Sequence, residues 1–456
     1  MSRSQMHLAV FVNPTGHHQA AWLHPDSEPD AGISFDHHVR LAHAAERACL
    51  DAVFYADNQA VRLGNPGAVS RVAQYVANFE PITLISALSA VTSRIGFIST
   101  ASTTYNFPYQ LARKFASIDH ISGGRVGWNI VTSGMPQEAP NFGRLEHPPR
   151  ELRYERAAEF VEVCMGLWDS WEDDAFPRNR ETGQFLDLEA MHTLNHEGRF
   201  LSVRGPLNVP RSPQGYPLLV QAGASAEGTA FAARYAEMVF VTPQSLESGR
   251  SRYRELKEIA ARQGRDPSTI KIMPGLAAIV RETRAEADEE FERLQALLHP
   301  DVAINTLAMK VAFTTGRSPA DVDLTGFASD EPLPLSDPGT GESFGHWAQF
   351  GQDQGLALSE LAREASGSLA GLSVHGSGEE IADLMEEWFR GEAADGFNLQ
   401  PPILPGGLDD FIRHVLPHLR RRGLFRTEYT GQTLRDHLGV GRPEWRSHGS
   451  PLTAAE

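Results

Sequence analysis

Two blocks decide the fold: Ile95-Gly96-Phe97-Ile98-Ser99-Thr100-Ala101-Ser102-Thr103-Thr104-Tyr105 and Ile121-Ser122-Gly123-Gly124-Arg125-Val126-Gly127-Trp128-Asn129-Ile130-Val131-Thr132. The first reads as a short buried strand that ends in a cluster of hydroxyls. Between the blocks, Pro108 to Ile118 sets Leu111, Phe115 and Ile118 on one helical face, with Pro108 suited to a first turn. Gly123 and Gly124 break the chain, and Val126 to Val131 reads as a second buried strand. This β-α-β pattern calls for two parallel strands joined by a right-handed crossover. Small polar groups close both strands, Ser102 and Thr103 on one and Asn129 and Thr132 on the other. Ligands gather at the carboxyl ends of parallel strands, so the functional face is predicted there.

Outward from this unit the alternation continues. Leu8–Val12, Ala52–Ala56, Leu218–Ala222, Glu237–Val241, Ile270–Val280 and Gly396–Leu399 read as further strands. Helical periodicity runs through Phe35–Leu50, Pro81–Val91, Arg150–Trp171, Ser225–Tyr235, Leu246–Gln263, Arg284–Leu297, Glu379–Phe389 and Leu408–Arg421. His196 to Val203 suggests a small hairpin. Eight strand signals separated by helices predict a single (β/α)8 TIM barrel over residues 1–456 with loop insertions. Pro300 to Ser373 is the least regular region, and its Pro332, Pro334 and Pro338 within a Gly/Ser/Asp-rich patch suggest a lid.

Composition sets limits. With 456 residues, 41% hydrophobic and 22% charged, the chain can bury a large core. A formal net charge of −17 argues against general nucleic-acid binding, which needs clustered Lys and Arg. Cys49 and Cys164, both expected inside helices, argue against a disulfide framework and fit a cytoplasmic location. The run His7 to Val12 is too short for a signal peptide, and Pro81 to Ser93 is too short to span a membrane.

P-loop and zincin motifs are absent. The 18 histidines, among them His37, His38, His43, His414 and His418, read better as solvated or capping groups than as metal ligands. Gln221-Ala222-Gly223-Ala224-Ser225-Ala226-Glu227-Gly228 runs from a strand through a glycine into a helix. Its free N–H groups, helix dipole and Ser225 hydroxyl suit an anion such as phosphate, and Ser225 suits a plain N-cap equally. Asp57 can hold a ring N–H or a substrate hydroxyl, or cap a turn. Ser102 and Thr103 can donate to a ligand or satisfy nearby backbone. Arg150 and Tyr154 lie one turn apart on a helix, so both can point one way. Arg150 suits phosphate or open solvent. Trp22, Trp128 and Trp347 read as core.

Taken together these residues resemble the bacterial-luciferase-like flavin monooxygenases, in the subgroup of nitrilotriacetate, EDTA, dibenzothiophene-sulfone and long-chain alkane monooxygenases and a pristinamycin-synthase subunit. The resemblance rests on Phe54-Tyr55-Ala56-Asp57, Ile121–Arg125 with Trp128–Thr132, Arg153-Tyr154-Glu155-Arg156-Ala157 and Gln221–Ser225. Ala394-Asp395-Gly396-Phe397 and Phe425-Arg426-Thr427-Glu428-Tyr429 extend it. It implies a luciferase-type barrel binding FMN, with Asp57, Thr103, Tyr154 and Ser225 as flavin contacts. Arg150 stands where the family commonly has His.

It further implies the oxygenase component of a two-component system, a homo-oligomer fed with reduced FMN by a separate NADH-dependent flavin reductase. O2 and reduced flavin would give a flavin hydroperoxide that oxygenates a small organic substrate. The absence of a Gly-x-Gly-x-x-Gly fingerprint agrees with NADH being handled elsewhere. No metal, nucleic acid or membrane is implied. A deazaflavin-dependent oxidoreductase, a flavin-binding protein without catalysis and a metal-dependent barrel hydrolase are the rival readings.

Overall fold

The computed structural model describes residues 5–61, 65–223, 225–317, 321–367, 371–447 and 450–451. Residues 1–4 and Ala224 of the Gln221–Ser225 motif lie outside the described residues.

Strands β1 (His7–Phe11), β2 (Ala52–Tyr55), β3 (Gly96–Ser102), β4 (Val126–Val131), β5 (Leu218–Gln221), β6 (Met238–Val241) and β7 (Lys271–Arg281) pair in parallel in chain order. An additional strand, β8 (Leu372–Ser377), runs beside the upper half of β7, from Leu276↔Leu372 to Arg281↔Ser377. β9 (Gly396–Leu399) closes the ring, pairing with β7 at Gly275↔Asn398 and with β1 at His7↔Gly396. The result is a closed barrel of eight parallel strands with helices outside, the (β/α)8 TIM barrel expected from the sequence.

Alternation along each strand builds two apolar layers. On β1, Leu8 and Val10 join Val53, Phe97, Phe115, Trp128 and Phe160 between strands and helices. Ala9 and Phe11 face inward with Phe54, Ile98, Val220, Met238 and Met273. The helices are α1 (Phe35–Arg47), α2 (Pro81–Ala90), α3 (Pro108–Ser122), α4 (Arg150–Trp168), α5 (Ala226–Tyr235), α6 (Leu246–Arg262) and α7 (Arg284–Ala296). Arg125, read from the sequence only as part of a motif, is buried and structural. Its guanidinium donates to the carbonyls of Ser89, Thr92, Ser122 and Ile95, tying α2 and α3 beneath β3.

The sequence reading needs correction at three places. The stretch 300–373 is not irregular: it holds α8 (Pro300–Thr315), α9 (Gly345–Gln354) and α10 (Leu358–Gly367) and leads into β8. Val302, Leu307, Val311, Phe344, Leu358 and Leu361 give these helices an apolar cluster of their own. Cys49 lies past the end of α1 in the left-handed region, at φ 59°, rather than in a helix. His37 and His38 are buried, not solvated: His38 Nδ1 lies 3.1 Å from the Tyr55 hydroxyl, and His37 lies 3.5 Å from Glu28.

Past α11 (Gly378–Arg390) and a helical run over 406–421 with a π-turn at Phe411–Val415, the chain returns below the barrel. There α12 (Leu434–Leu438) places Leu434 and Leu438, with Val440, against the inward layer. A Cβ on Gly96 would stand 2.6 Å from Leu434, so a bare glycine at the foot of β3 lets this floor close.

Candidate active site

The carboxyl ends of β2, β3, β4 and β5 surround a cavity of about 240 Å³. Asp57, Gln59, Thr100, Ser102, Glu138, Tyr154 and Gln221 are among its walls. The hydroxyl cluster at the tip of β3 is knitted to β4. Asn129 donates to Thr100 Oγ1 at 2.8 Å, and the Ser102 and Ser133 hydroxyls are 2.7 Å apart. Of the five residues singled out from the sequence, Asp57 and Tyr154 line the cavity directly. Thr103 is buried and does not line the cavity; its hydroxyl donates at 3.2 Å to the Val131 carbonyl, one of the two outcomes its chemistry allowed.

Tyr154 comes from the second turn of α4 and reaches the β5–α5 turn, its ring edge-on to Phe231 at 5.9 Å. A Cβ on Gly223 or Gly228 would come within 2.9 or 2.8 Å of the Tyr154 hydroxyl. Glycine is therefore needed at both positions for the phenol to enter the turn. Ser225 is the N-cap of α5 and accepts from Gly228 N at 3.1 Å. The helix N-terminus, with its partial positive charge, thus opens beside the Tyr154 hydroxyl.

Arg150 is exposed at the start of α4. Its charge reaches Glu227 in the first turn of α5. The Glu227 carboxyl is held below its ordinary range by its own backbone N–H, then by the Ser225 hydroxyl, with Arg150 adding to both. Arg252, which the sequence reading passed over, donates to the Gly223 carbonyl at 3.1 Å and pairs with Glu255 at 2.9 Å. Two cations therefore flank the turn. Only the fold brings α6 there, and no local pattern in the sequence marks Arg252. Arg153, read from the sequence only as part of a motif, donates to the carbonyls of Pro148, Thr132 and Ser133 and fixes the rim between β4 and α4.

The cavity wall is acceptor-rich. Gln59 Oε1, Glu138 Oε2 and Gln221 Oε1 are buried and have no hydrogen-bond partner among the described residues. Buried acceptors in native structures are paired with donors, from a ligand or from water. Burial, helped by the charges of Glu80 and Glu138, pushes the Asp57 carboxyl up to about 6. Among the described residues no three metal-ligating side chains converge.

A second cavity of about 640 Å³ lies between residues 65–76 and α8, with Val69, Val72, Val302, Ala308 and Leu324 in its wall. Gln137 lines it while the adjacent Glu138 lines the first cavity, so the two spaces meet at one turn of backbone.

The site thus combines a closed parallel barrel, a glycine-framed helix N-terminus and an acceptor-rich cavity at the carboxyl ends of the strands. The model of the family described as luciferase-like monooxygenase matches residues 6–395, and the chain belongs to that family. It is 44% identical to N-acetyl-S-(2-succino)cysteine monooxygenase of Bacillus subtilis over 97% of this chain and 98% of that one. It is 40% identical to nitrilotriacetate monooxygenase component A of Aminobacter aminovorans, over 97% and 98% of the two chains. Among solved structures, DmoA from Hyphomicrobium sulfonivorans matches with a TM-score of 0.85 at 31% identity, covering 96% of this chain and 92% of that one. The protein is an enzyme of the monooxygenase class. Among the described residues no helix is long and apolar enough to cross a membrane.

Proposed function

We propose that this chain is the oxygenase component of a two-component system, taking reduced FMN from a separate NADH-dependent flavin reductase and using O2 to oxygenate a small organic substrate. The observation that carries the reading is the alignment of an anion turn with an acceptor-rich cavity. A flavin mononucleotide has a phosphate to accept at one end, ribityl hydroxyls in the middle and a ring with an N–H edge to donate, which is the order of groups that suits the site. The residues fit the group. Ser225 and the α5 N-terminus would hold the phosphate with the Tyr154 hydroxyl, and Arg150 and Arg252 would add positive charge beside it. Gln221 and Gln59 would accept from hydroxyls, and Asp57 would take the ring N–H, with Thr103 behind the strand end.

Reduced FMN supplies the electrons that activate O2, one oxygen atom entering the substrate and the other leaving as water. The chain's task is to orient the ring and exclude bulk water. The three-helix insertion α8–α10, whose α8 walls the second cavity, would serve as the cover over one barrel domain. A relative named as component A of its enzyme supports the division of labour with a reductase.

The test combines two measurements. The isolated chain should consume no NADH yet bind reduced FMN more tightly than oxidised FMN in anaerobic titration. With a flavin reductase and ¹⁸O2 added, label should appear in an oxidised sulfone, aminopolycarboxylate or alkane substrate. Rapid NADH oxidation by the chain alone would refute the reading.

A further inference from the structure

The second cavity has no part in the flavin scheme above, and its wall shows side chain by side chain what it offers a ligand. At about 640 Å³ it falls within the range of small-molecule sites, about 300–1,000 Å³. Val69 and Val72 supply one side, and Val302, Ala308 and Met309 of α8 supply another. Val76 and Met309 are each 37% exposed although both stand in this wall. Apolar side chains left open in a concave wall gain by being covered with apolar surface.

Much of the polar part of the wall is already paired with the protein. Gln19 Nε2 donates to Gln74 Oε1 at 3.2 Å, and Gln74 Nε2 donates to the His17 carbonyl at 2.7 Å. Asn65 Oδ1 accepts from Gly67 N at 2.8 Å, and the Thr306 hydroxyl donates to the Val302 carbonyl at 2.7 Å. Among the described residues the one ionisable side chain in the wall is an acid, Asp323. Its carboxylate accepts from the Thr325 hydroxyl at 2.7 Å and from Thr325 N at 2.9 Å, and these two bonds hold it below its ordinary range. A ligand carboxylate entering this space meets a like charge and aliphatic surface, so its desolvation goes uncompensated. The cavity also lies against the first one. Asn141 Nδ2 donates to the Gln59 carbonyl at 2.8 Å, which ties the turn carrying Gln137 and Glu138 to the wall of the first cavity.

We propose that the second cavity is the substrate site and that it selects an uncharged molecule with an apolar body over substrates bearing carboxylates. This rests on the reading that the first cavity takes the flavin. The aliphatic wall covers the body. The Gln137 carboxamide, on the turn shared by the two cavities, presents a donor and an acceptor to a neutral polar end. Sulfones and alkanes match this wall, and aminopolycarboxylates do not.

The experiment is a calorimetric titration of the full chain at neutral pH with n-hexanol, n-octanol and n-decanol, with the carboxylates of equal length, and with nitrilotriacetate. An anaerobic titration with reduced FMN runs beside it. Affinity for the alcohols should rise about fourfold for each added methylene, and each carboxylate should bind at least about tenfold more weakly than its alcohol. Met309→Lys sets an ammonium in the wall at an exposed helix position, where lysine is a good helix former, and circular dichroism verifies that the variant is folded. It should narrow the preference for alcohol over carboxylate by about tenfold. Carboxylates or nitrilotriacetate that bind the wild type as tightly as the alcohols would overturn the proposal, as would a preference that Met309→Lys leaves unchanged. Alcohols that fail to bind a chain that takes reduced FMN would overturn it and leave the flavin reading standing. A chain that binds the alcohols in the expected pattern but takes no reduced FMN would overturn the flavin reading and leave the selectivity of the cavity.

Discussion

Gly228→Ala sets two effects of opposite sign against each other. Gly228 is the third residue of α5, and within a helix alanine is better than glycine by about 1 kcal/mol. On propensity alone the variant should melt higher. The new Cβ, however, would stand 2.8 Å from the Tyr154 hydroxyl and 3.0 Å from the Gly223 Cα, and one of these must move. Inserting a methyl into such a contact costs about 1–3 kcal/mol. The phenol is the softer of the two, since Gly223 is backbone fixed at the end of β5. The net stability change should therefore be small, between zero and about 2 kcal/mol of loss, while the Tyr154 hydroxyl leaves the turn.

If that hydroxyl donates to the FMN phosphate, the displaced hydrogen bond to a charged group is worth about 1.5–3 kcal/mol. FMN should then bind about ten- to a hundred-fold more weakly. Anaerobic titration with reduced FMN, paired with a thermal melt, measures both quantities on one preparation. A variant that melts higher and binds FMN as the wild type does would refute the reasoning, because the turn would then have room that the glycine argument denies it.

Three further outcomes are expected. Ser225→Asp should weaken FMN far more than riboflavin, since a carboxylate facing phosphate costs about 1–3 kcal/mol; equal losses would put the phosphate elsewhere. Arg150→His should bind FMN more weakly at alkaline pH and regain affinity towards about pH 6 as the imidazole charges; a flat profile in titrations at two pH values would mark Arg150 as a solvated residue. Asp57, raised from an ordinary 3.8 to about 6, contributes stability that is complete below the unfolded value and is lost as pH rises through 6. Asp57→Asn should therefore raise the melting temperature near pH 8 and leave it almost unchanged near pH 4, as differential scanning calorimetry would show.

The barrel was legible because its strands are buried on both faces and short. Runs such as Val126–Val131 and Leu218–Gln221 announce themselves without reference to the rest of the chain. The insertion was not, because Pro332, Pro334 and Pro338 masked the apolar spacing of Val302, Leu307 and Val311. β8 escaped notice for another reason: Ser373, Val374 and His375 are half-buried or exposed and lack a core strand's composition. In the site, strand-end residues such as Asp57 could be picked out locally. Glu138 and Arg252 could not, since one is delivered by a turn between prolines and the other by a helix whose neighbour is set by barrel closure. The buried His37 and His38 show the same limit: α1 has polar residues on its inner face, and only the partners Tyr55 and Glu28 explain them.

The floor of the barrel has a consequence for synthesis. The ring is sealed by pairing His7 with Gly396, and the residues that stop its lower mouth, Leu434, Leu438 and Val440, come later still. A chain grown only through strands β1 to β7 has β2 beside β1 but lacks β9, the partner on its other side. Closure must wait until nearly all of the chain has emerged, so the long sequence separation between β1 and β9 makes folding a late event. Until then the edge of β1 and the apolar lining behind it stand exposed, and a message truncated before Leu434 yields a barrel with no bottom.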